Sequence, residues 1–308
     1  MPPPVRRDLL AAVETARAAP PEDDLADVLY RRWYLGIDEA LPLPMAVGVP
    51  SAAEVNLLDA LRAAHVDTGR WLDGWTVGAV SSRGRVLVAA GDRRRVLHRV
   101  DVLAAARPCL PPRPGDPVRV TARRDYLDDE GGFWFAAGGG WDESTLPPHL
   151  VRVYWHLDRA GAPLLVHHLT RALDGEGVPH SLKVARSDPP VDRPDAAVLY
   201  VEEAHAEAAL VAAARARPKV AAHLRPGVPR LALALAPGVG LAEDPGTGES
   251  FGQARCRAVA AAVAGAGAGR SLEDAAAAVL TAFEASGLDP TRPHLRPGSV
   301  REYAWPSP

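Results

Sequence analysis

Lysine is nearly absent from this chain. Of 35 cationic side chains in 308 residues, only Lys183 and Lys219 are ammonium groups. Arginine and lysine serve equally well on a solvated surface, so a composition this biased toward arginine draws attention to the lysines it keeps. An ammonium can lose its proton inside a protein, whereas a guanidinium effectively cannot. Lys183 lies in the apolar run Val178-Pro179-His180-Ser181-Leu182-Lys183-Val184, which makes it a candidate base; the competing reading is a lysine left by chance.

Cysteine is equally scarce. Cys109 and Cys256 support neither a disulfide framework nor a cysteine metal site, and a reducing cytoplasm is the default expectation. No run reaches the roughly 20 apolar residues needed to span a bilayer, so no membrane association is expected. The segment Met1 to Asp24 mixes prolines, arginines and acids and reads as no secretory signal. A formal net charge of -3 argues against a nucleic-acid-coating protein, although local arginine clusters can still take phosphate groups. P-loop, zinc and strand-linked dinucleotide motifs are missing, so no cofactor or metal is expected.

What is present reads as a mixed α+β protein. Apolar spacing predicts helices between 5 and 35, broken at Ala19-Pro20-Pro21, and a third from Ala52 to Ala64 capped by Ser51 with Glu54. Short β-branched segments at 75–77, 86–89, 96–100 and 118–121 predict a small antiparallel sheet or partial barrel, and Asp128 to Gly140 a hairpin. From Val151 onward strands alternate with helices, which predicts a mixed sheet flanked by helices. The expected division is an N-terminal helical and small β domain, 1–145, followed by an α/β domain, 146–308. Pro237 to Gly248 reads as a long irregular loop of the kind often functional in compact domains.

Three groups carry chemistry. Arg152, Tyr154 and His156 alternate along one strand, so a cation, a phenol and an imidazole share a face suited to a polar cleft; an ordinary amphipathic edge strand is the plainer reading. Gly248-Glu-Ser-Phe-Gly252 matches the nucleophile-elbow pattern of serine hydrolases, but no strand runs into Ser250. Ser250 at a helix start, with Arg255 and Arg257 one turn on, suits phosphate binding better, against the alternative of a simple helix cap with solvated arginines. His167, His168, His180 and Lys219 match no catalytic or metal spacing. The exposed aromatics expected in the first half, Trp71, Trp75 and Trp134, suit peptide contact.

Several segments resemble the HopA family of type III secretion effectors and its actinobacterial relatives in the biosynthesis of ribosomally made, modified peptides, including thioviridamide-like compounds and class V lanthipeptides. They are Arg152-Val-Tyr-Trp-His156, Gly177-Val-Pro-His-Ser-Leu-Lys183, Arg193-Pro-Asp-Ala-Ala-Val-Leu-Tyr200, Leu235 to Pro245, Glu249-Ser-Phe-Gly252 with Arg255-Cys-Arg257, and Arg292 to Ser299. Tyr30 to Gly36 and Gly69 to Trp75 fit as well. The resemblance implies a partnership. A separate aminoglycoside-phosphotransferase-like kinase phosphorylates serine or threonine of a precursor peptide, and the HopA-type protein eliminates the phosphate to leave dehydroalanine or dehydrobutyrine without a metal. On that reading Lys183 is the base, Tyr154 or His156 the acid, and Arg152, Ser250, Arg255 and Arg257 hold the phosphate. The alternative is a non-catalytic peptide-binding or scaffold subunit that activates the kinase. A binder has no need for lysine at 183, whereas a base does.

Overall fold

Alternating polar and apolar residues in β-branched segments, and apolar residues at helical spacing elsewhere, build two antiparallel sheets and the helices that cover the larger one. The structure is a computed structural model. It describes residues 3–306 apart from 21, 38–51, 68–70, 83, 105–109, 122–123, 129–131, 144–145, 187–191 and 268. Ser51, the expected cap of the third helix, lies outside the described residues, as does Cys109.

The smaller sheet joins β1 (Trp71–Val80), β2 (Arg85–Ala90), β3 (Arg93–His98), β4 (Val102–Ala104) and β5 (Pro117–Thr121) in the order β3-β2-β1-β5-β4. Its core is almost entirely valine: Val77, Val86, Val88, Val102, Val118 and Val120, with Trp75 and Ala104. Trp75 is buried rather than exposed, because the guanidinium groups of Arg93 and Arg95 stand 5.1 and 5.7 Å from its ring. Trp134 is also fully buried, and its indole N–H donates to Asp125 at 2.9 Å. Neither indole is free to hold a peptide.

The larger sheet runs β11-β12-β8-β10-β9-β7-β6 through β6 (Asp125–Leu127), β7 (Phe133–Gly138), β8 (Leu150–Trp155), β9 (His180–Ala185), β10 (Ala197–Glu202), β11 (Leu233–Ala236) and β12 (Val239–Glu243). Every pairing described in it is antiparallel, where the alternation of strands and helices predicted a mixed sheet. The cause is topological. β8 and β9 run parallel, joined by helix α4 (Gly161–Gly175), but β10 slots between them and opposes both.

The hairpin β6–β7 belongs to this sheet, with Phe135 opposite Lys183 and Gly138 opposite His180. A division at 145 therefore passes through one continuous sheet rather than between two bodies. Gly138 is required there, since a Cβ would lie 2.5 Å from the His180 ring. β12 also shortens the expected loop: Val239 to Glu243 is a strand buried along its whole length, so it lacks the alternation that marks a half-buried one.

Of the helices, α1 (Pro3–Arg17), α3 (Ala52–Ala64), α5 (Ala206–Ala216), α6 (Phe251–Ala266) and α7 (Leu272–Ala285) are regular; α2 (Leu25–Val28), capped by Asp24, runs on as a π-helical turn over Leu29–Tyr34. One face of the sheet, Val151, Val153, Trp155, Leu182, Leu199 and their neighbours, packs on α3, α4 and α5. Part of the other face, around Tyr154, Val198 and Ala242, lies under α1, α6, α7 and the π-helical turn. That turn seats Tyr34 against Gly252, where a Cβ would come within 2.4 Å of the ring.

Candidate functional site

The helices leave the rest of that second face open, and the site lies there. Strand register puts side chains in rows: Lys183, Val198 and Tyr154 are aligned across β9, β10 and β8, and Ser181, Tyr200 and Arg152 form the next row. Residues two apart on a strand share a face about 7 Å apart. The second row floors a cleft of about 490 Å³, which Asp244 and Ser250 border on one side and Phe135, Trp141 and Leu146 on the other. Lys183 lies one row beyond Ser181, outside the residues that line the cleft, with its ammonium 5.9 Å from the ring of Phe135, which lines it.

Two forces act on Lys183. Its ammonium lies 3.6 Å from the centre of the Phe133 ring, largely out of water, and burial pushes its pKa down to about 8. Asp195 opposes that shift, while Arg193 and Arg152 add to it. Arg193 stands over the same ring at 5.1 Å and grips Asp195 with two hydrogen bonds of 2.6 and 2.9 Å. Burial alone would raise the Asp195 carboxyl, but the Arg193 guanidinium outweighs it and holds the group below its usual value.

Arg152 is buried beneath the cleft, its guanidinium 5.3 Å from the Tyr200 ring. It donates to Asp244 through Nε at 3.0 Å and through Nη2, and to the carbonyl of Glu249 at 3.2 Å. The cation expected for phosphate thus already holds a carboxylate, and an incoming anion would have to exchange with Asp244. Ser250 borders the cleft as the cap of α6. Its Oγ accepts from Gln253 N at 3.1 Å, and Gln253 Oε1 accepts from Ser250 N at 3.2 Å. β12 ends at Glu243 and Asp244 to Glu249 intervene, so Ser250 is not at a strand-to-helix elbow.

The remaining expected site residues are not brought to the cleft. Arg255 is buried over Phe251 and donates to the carbonyls of Pro293 at 2.9 Å and Leu295 at 2.7 Å, so it holds the C-terminal segment instead of a phosphate. Arg255→Leu is therefore expected to lower stability by about 1–3 kcal/mol, through two carbonyls left without a donor. Urea titration of the variant checks this. Arg257 is exposed and forks Glu249. Tyr154 is buried in the helix-covered part of the face beside Tyr34, and burial pushes its hydroxyl well above the ordinary phenol range. His156 turns to Asp192 at 2.8 Å, at the far end of β8. His180 is buried, with Nδ1 2.8 Å from the carbonyl oxygen of Val178, and burial lowers its pKa to about 4, which leaves a neutral packing group.

The structure adds Tyr200, Asp244, Arg193 and Asp195. Tyr200 is the phenol that lines the cleft in the same row as Arg152. Its place followed from no local pattern, because it depends on which residue β10 sets opposite Arg152.

An antiparallel sheet with helices on both faces and a half-covered polar face has counterparts among solved structures. The effector protein from Pseudomonas syringae pv. tomato strain DC3000 shares the fold at a TM-score of 0.55 and 14% identity, covering 95% of this chain and 97% of that one. The effector from Pseudomonas syringae pv. syringae strain 61 matches at 0.53, with the same identity and coverage. No curated protein matches the chain. Residues 128–295, more than half of it, match the HopA1 effector protein family, and the chain belongs to that family.

Proposed function

We propose that the protein is a phosphate-eliminating lyase acting on phosphoserine or phosphothreonine of a ribosomal precursor peptide, with a separate aminoglycoside-phosphotransferase-like kinase supplying the phosphate. One observation carries the reading. A lysine able to be neutral near working pH stands on the same face of the sheet as a buried arginine that lines the cleft, one row away from it.

Arg152 and Lys183 lie on strands separated by β10 and are offset by one row, so their Cα atoms are about 12 Å apart. For both to reach one phosphothreonine, the Lys183 ammonium leaves its place over the Phe133 ring and the Arg152 guanidinium leaves Asp244, each turning toward β10. Neutral Lys183 takes the α-proton, the freed electron pair forms the Cα=Cβ bond, and the Cβ–O bond breaks to release phosphate. Arg152, exchanging Asp244 for the phosphate, stabilises the charge that grows on the leaving group. Tyr200 is the phenol placed to donate to the departing oxygen. A dehydroalanine or dehydrobutyrine residue and inorganic phosphate result, and Lys183 returns its proton to solvent. A non-catalytic peptide-binding subunit draws on one observation, the Arg152–Asp244 pair, which already occupies the cleft's guanidinium.

Incubation of the purified protein with a synthetic phosphothreonine peptide, without ATP, separates the two. The lyase reading expects a loss of about 98 Da, the mass of phosphoric acid, by mass spectrometry. No loss, with or without the kinase, overturns it.

A further inference from the structure

The cleft is larger and more apolar than a phosphate requires. A water occupies about 30 Å³ of liquid volume, and a phosphate group needs only a few times that. The cavity of about 490 Å³ leaves most of its space for something else. Its two walls differ in kind. Arg152, Asp244 and Ser250 contribute the polar lining, and Trp141, Leu146, Pro147 and Pro148 the apolar lining. Trp141 and Leu150 are buried in a small cluster with Ala137, which Tyr200 joins to the core under α6 and α7. The Tyr126 and Phe135 rings, stacked 4.7 Å apart and 3° from parallel, close the end nearest Lys183.

Leu146, which lines the same cleft, has 60% of its surface exposed. A lone exposed leucine is unremarkable on a protein surface. Here it is followed by two prolines whose rings fix the backbone, and it lines the same cleft as the Arg152 guanidinium. A shelf of this kind takes an apolar side chain.

We infer that the wall formed by Trp141, Leu146 and Pro147 is a subsite for an apolar side chain within two positions of the phosphorylated residue. The inference rests on the phosphopeptide reading of the cleft. In an extended peptide, neighbouring Cα atoms are about 3.8 Å apart, so a residue flanking the phosphothreonine reaches the shelf while the phosphate reaches Arg152. The enzyme then selects its substrate by composition: phosphorylated sites next to leucine, valine or an aromatic residue are taken, and sites between polar residues are passed over.

Fluorescence anisotropy with labelled peptides tests this, using a Lys183→Met background so that bound peptide is not consumed. Phosphothreonine peptides carrying leucine at the flanking positions are expected to bind about tenfold more tightly than the same peptides carrying serine there, as burial of one leucine side chain requires. Leu146→Asp, an exposed change that leaves Trp141 in place, is expected to erase that difference while retaining binding of the serine-flanked phosphopeptide. Equal affinity whatever the flank overturns the subsite and leaves the lyase reading standing. Tight binding of the leucine peptide without its phosphate overturns the phosphopeptide reading but not the apolar preference. No binding by any peptide overturns both.

Discussion

Lys183→Arg is expected to abolish elimination, with the rate on a phosphothreonine peptide falling by at least about a hundredfold. Arginine keeps the charge and nearly the length, so a merely structural or peptide-binding lysine would tolerate it. A base would not, because a guanidinium stays protonated. For the wild type, kcat/KM should rise with pH through about 8 and then level off, as the ammonium over Phe133 gives up its proton. A flat profile across that range would remove Lys183 from the chemistry even if the arginine variant were inactive.

The same burial has a cost in stability, and its sign is fixed. The folded pKa of Lys183 lies below the ordinary value of 10.5, so between about 8 and 10 the unfolded chain binds the extra proton and stability rises with pH. Below about 8 the full penalty of burying the ammonium is present. Lys183→Met is therefore expected to raise the thermal midpoint at neutral pH, an advantage that shrinks as the pH climbs through 8 to 10. Calorimetry at pH 7 and pH 10 would show the trend; a variant equally stabilised at both would contradict the burial argument.

The second large effect is structural. Glu243 is fully buried at the end of β12, where its carboxylate accepts from the backbone N–H of Arg296 at 2.9 Å, Arg296 Nη1 at 3.2 Å, Ser299 Oγ at 2.8 Å and Tyr303 Oη at 2.8 Å. Its own N–H donates to the carbonyl of His294 at 2.8 Å. One carboxylate thus holds the last described segment of the chain, and Arg255 grips the same segment through the carbonyls of Pro293 and Leu295. Glu243→Leu is expected to cost about 3–5 kcal/mol, because it leaves Arg296 with half its carboxylate partners and strands the hydroxyls of Ser299 and Tyr303. The residues after 295 should then become sensitive to protease. Urea denaturation and timed proteolysis measure the two effects, and an unchanged midpoint would show that the segment is held by packing alone. Asp244, the partner of Arg152, is the next residue, so loss of the strap should also loosen the cleft.

Legibility in the sequence followed the range of the interactions. Strands β8, β9 and β10 announce themselves through runs such as Ala-Ala-Val-Leu-Tyr-Val, and α6 and α7 through their serine caps, because those signals are local. Arg152 and Lys183 were likewise visible, one by alternation and the other by rarity. Their neighbours were not. Asp244 lies 92 residues from Arg152, and Tyr200 reaches it only because β10 inserts between β8 and β9. Arg255 misled for the opposite reason. One helical turn from Ser250 looked near enough to share a ligand, but the C-terminal carbonyls that occupy it come from 38 and 40 residues further on. The pair Arg193 and Asp195 did carry a local signal, an arginine and an acid two residues apart around a proline.

The sheet that ignores the expected boundary also separates the heritable unit from the folding unit. The family signature begins at 128, after β6, and omits α1, the π-helical turn and the residues beyond 295. Cut out alone, 128–295 would keep Arg152, Lys183 and Tyr200. It would keep α6 and α7 but lose α1 and the π-helical turn, uncovering part of the cluster around Tyr154, Phe251 and Val259, and lose the donors of Arg296, Ser299 and Tyr303 to Glu243. Such a fragment is expected to collect in inclusion bodies when expressed, so assays of the proposed elimination need the flanking segments even though Arg152, Lys183 and Tyr200 lie outside them.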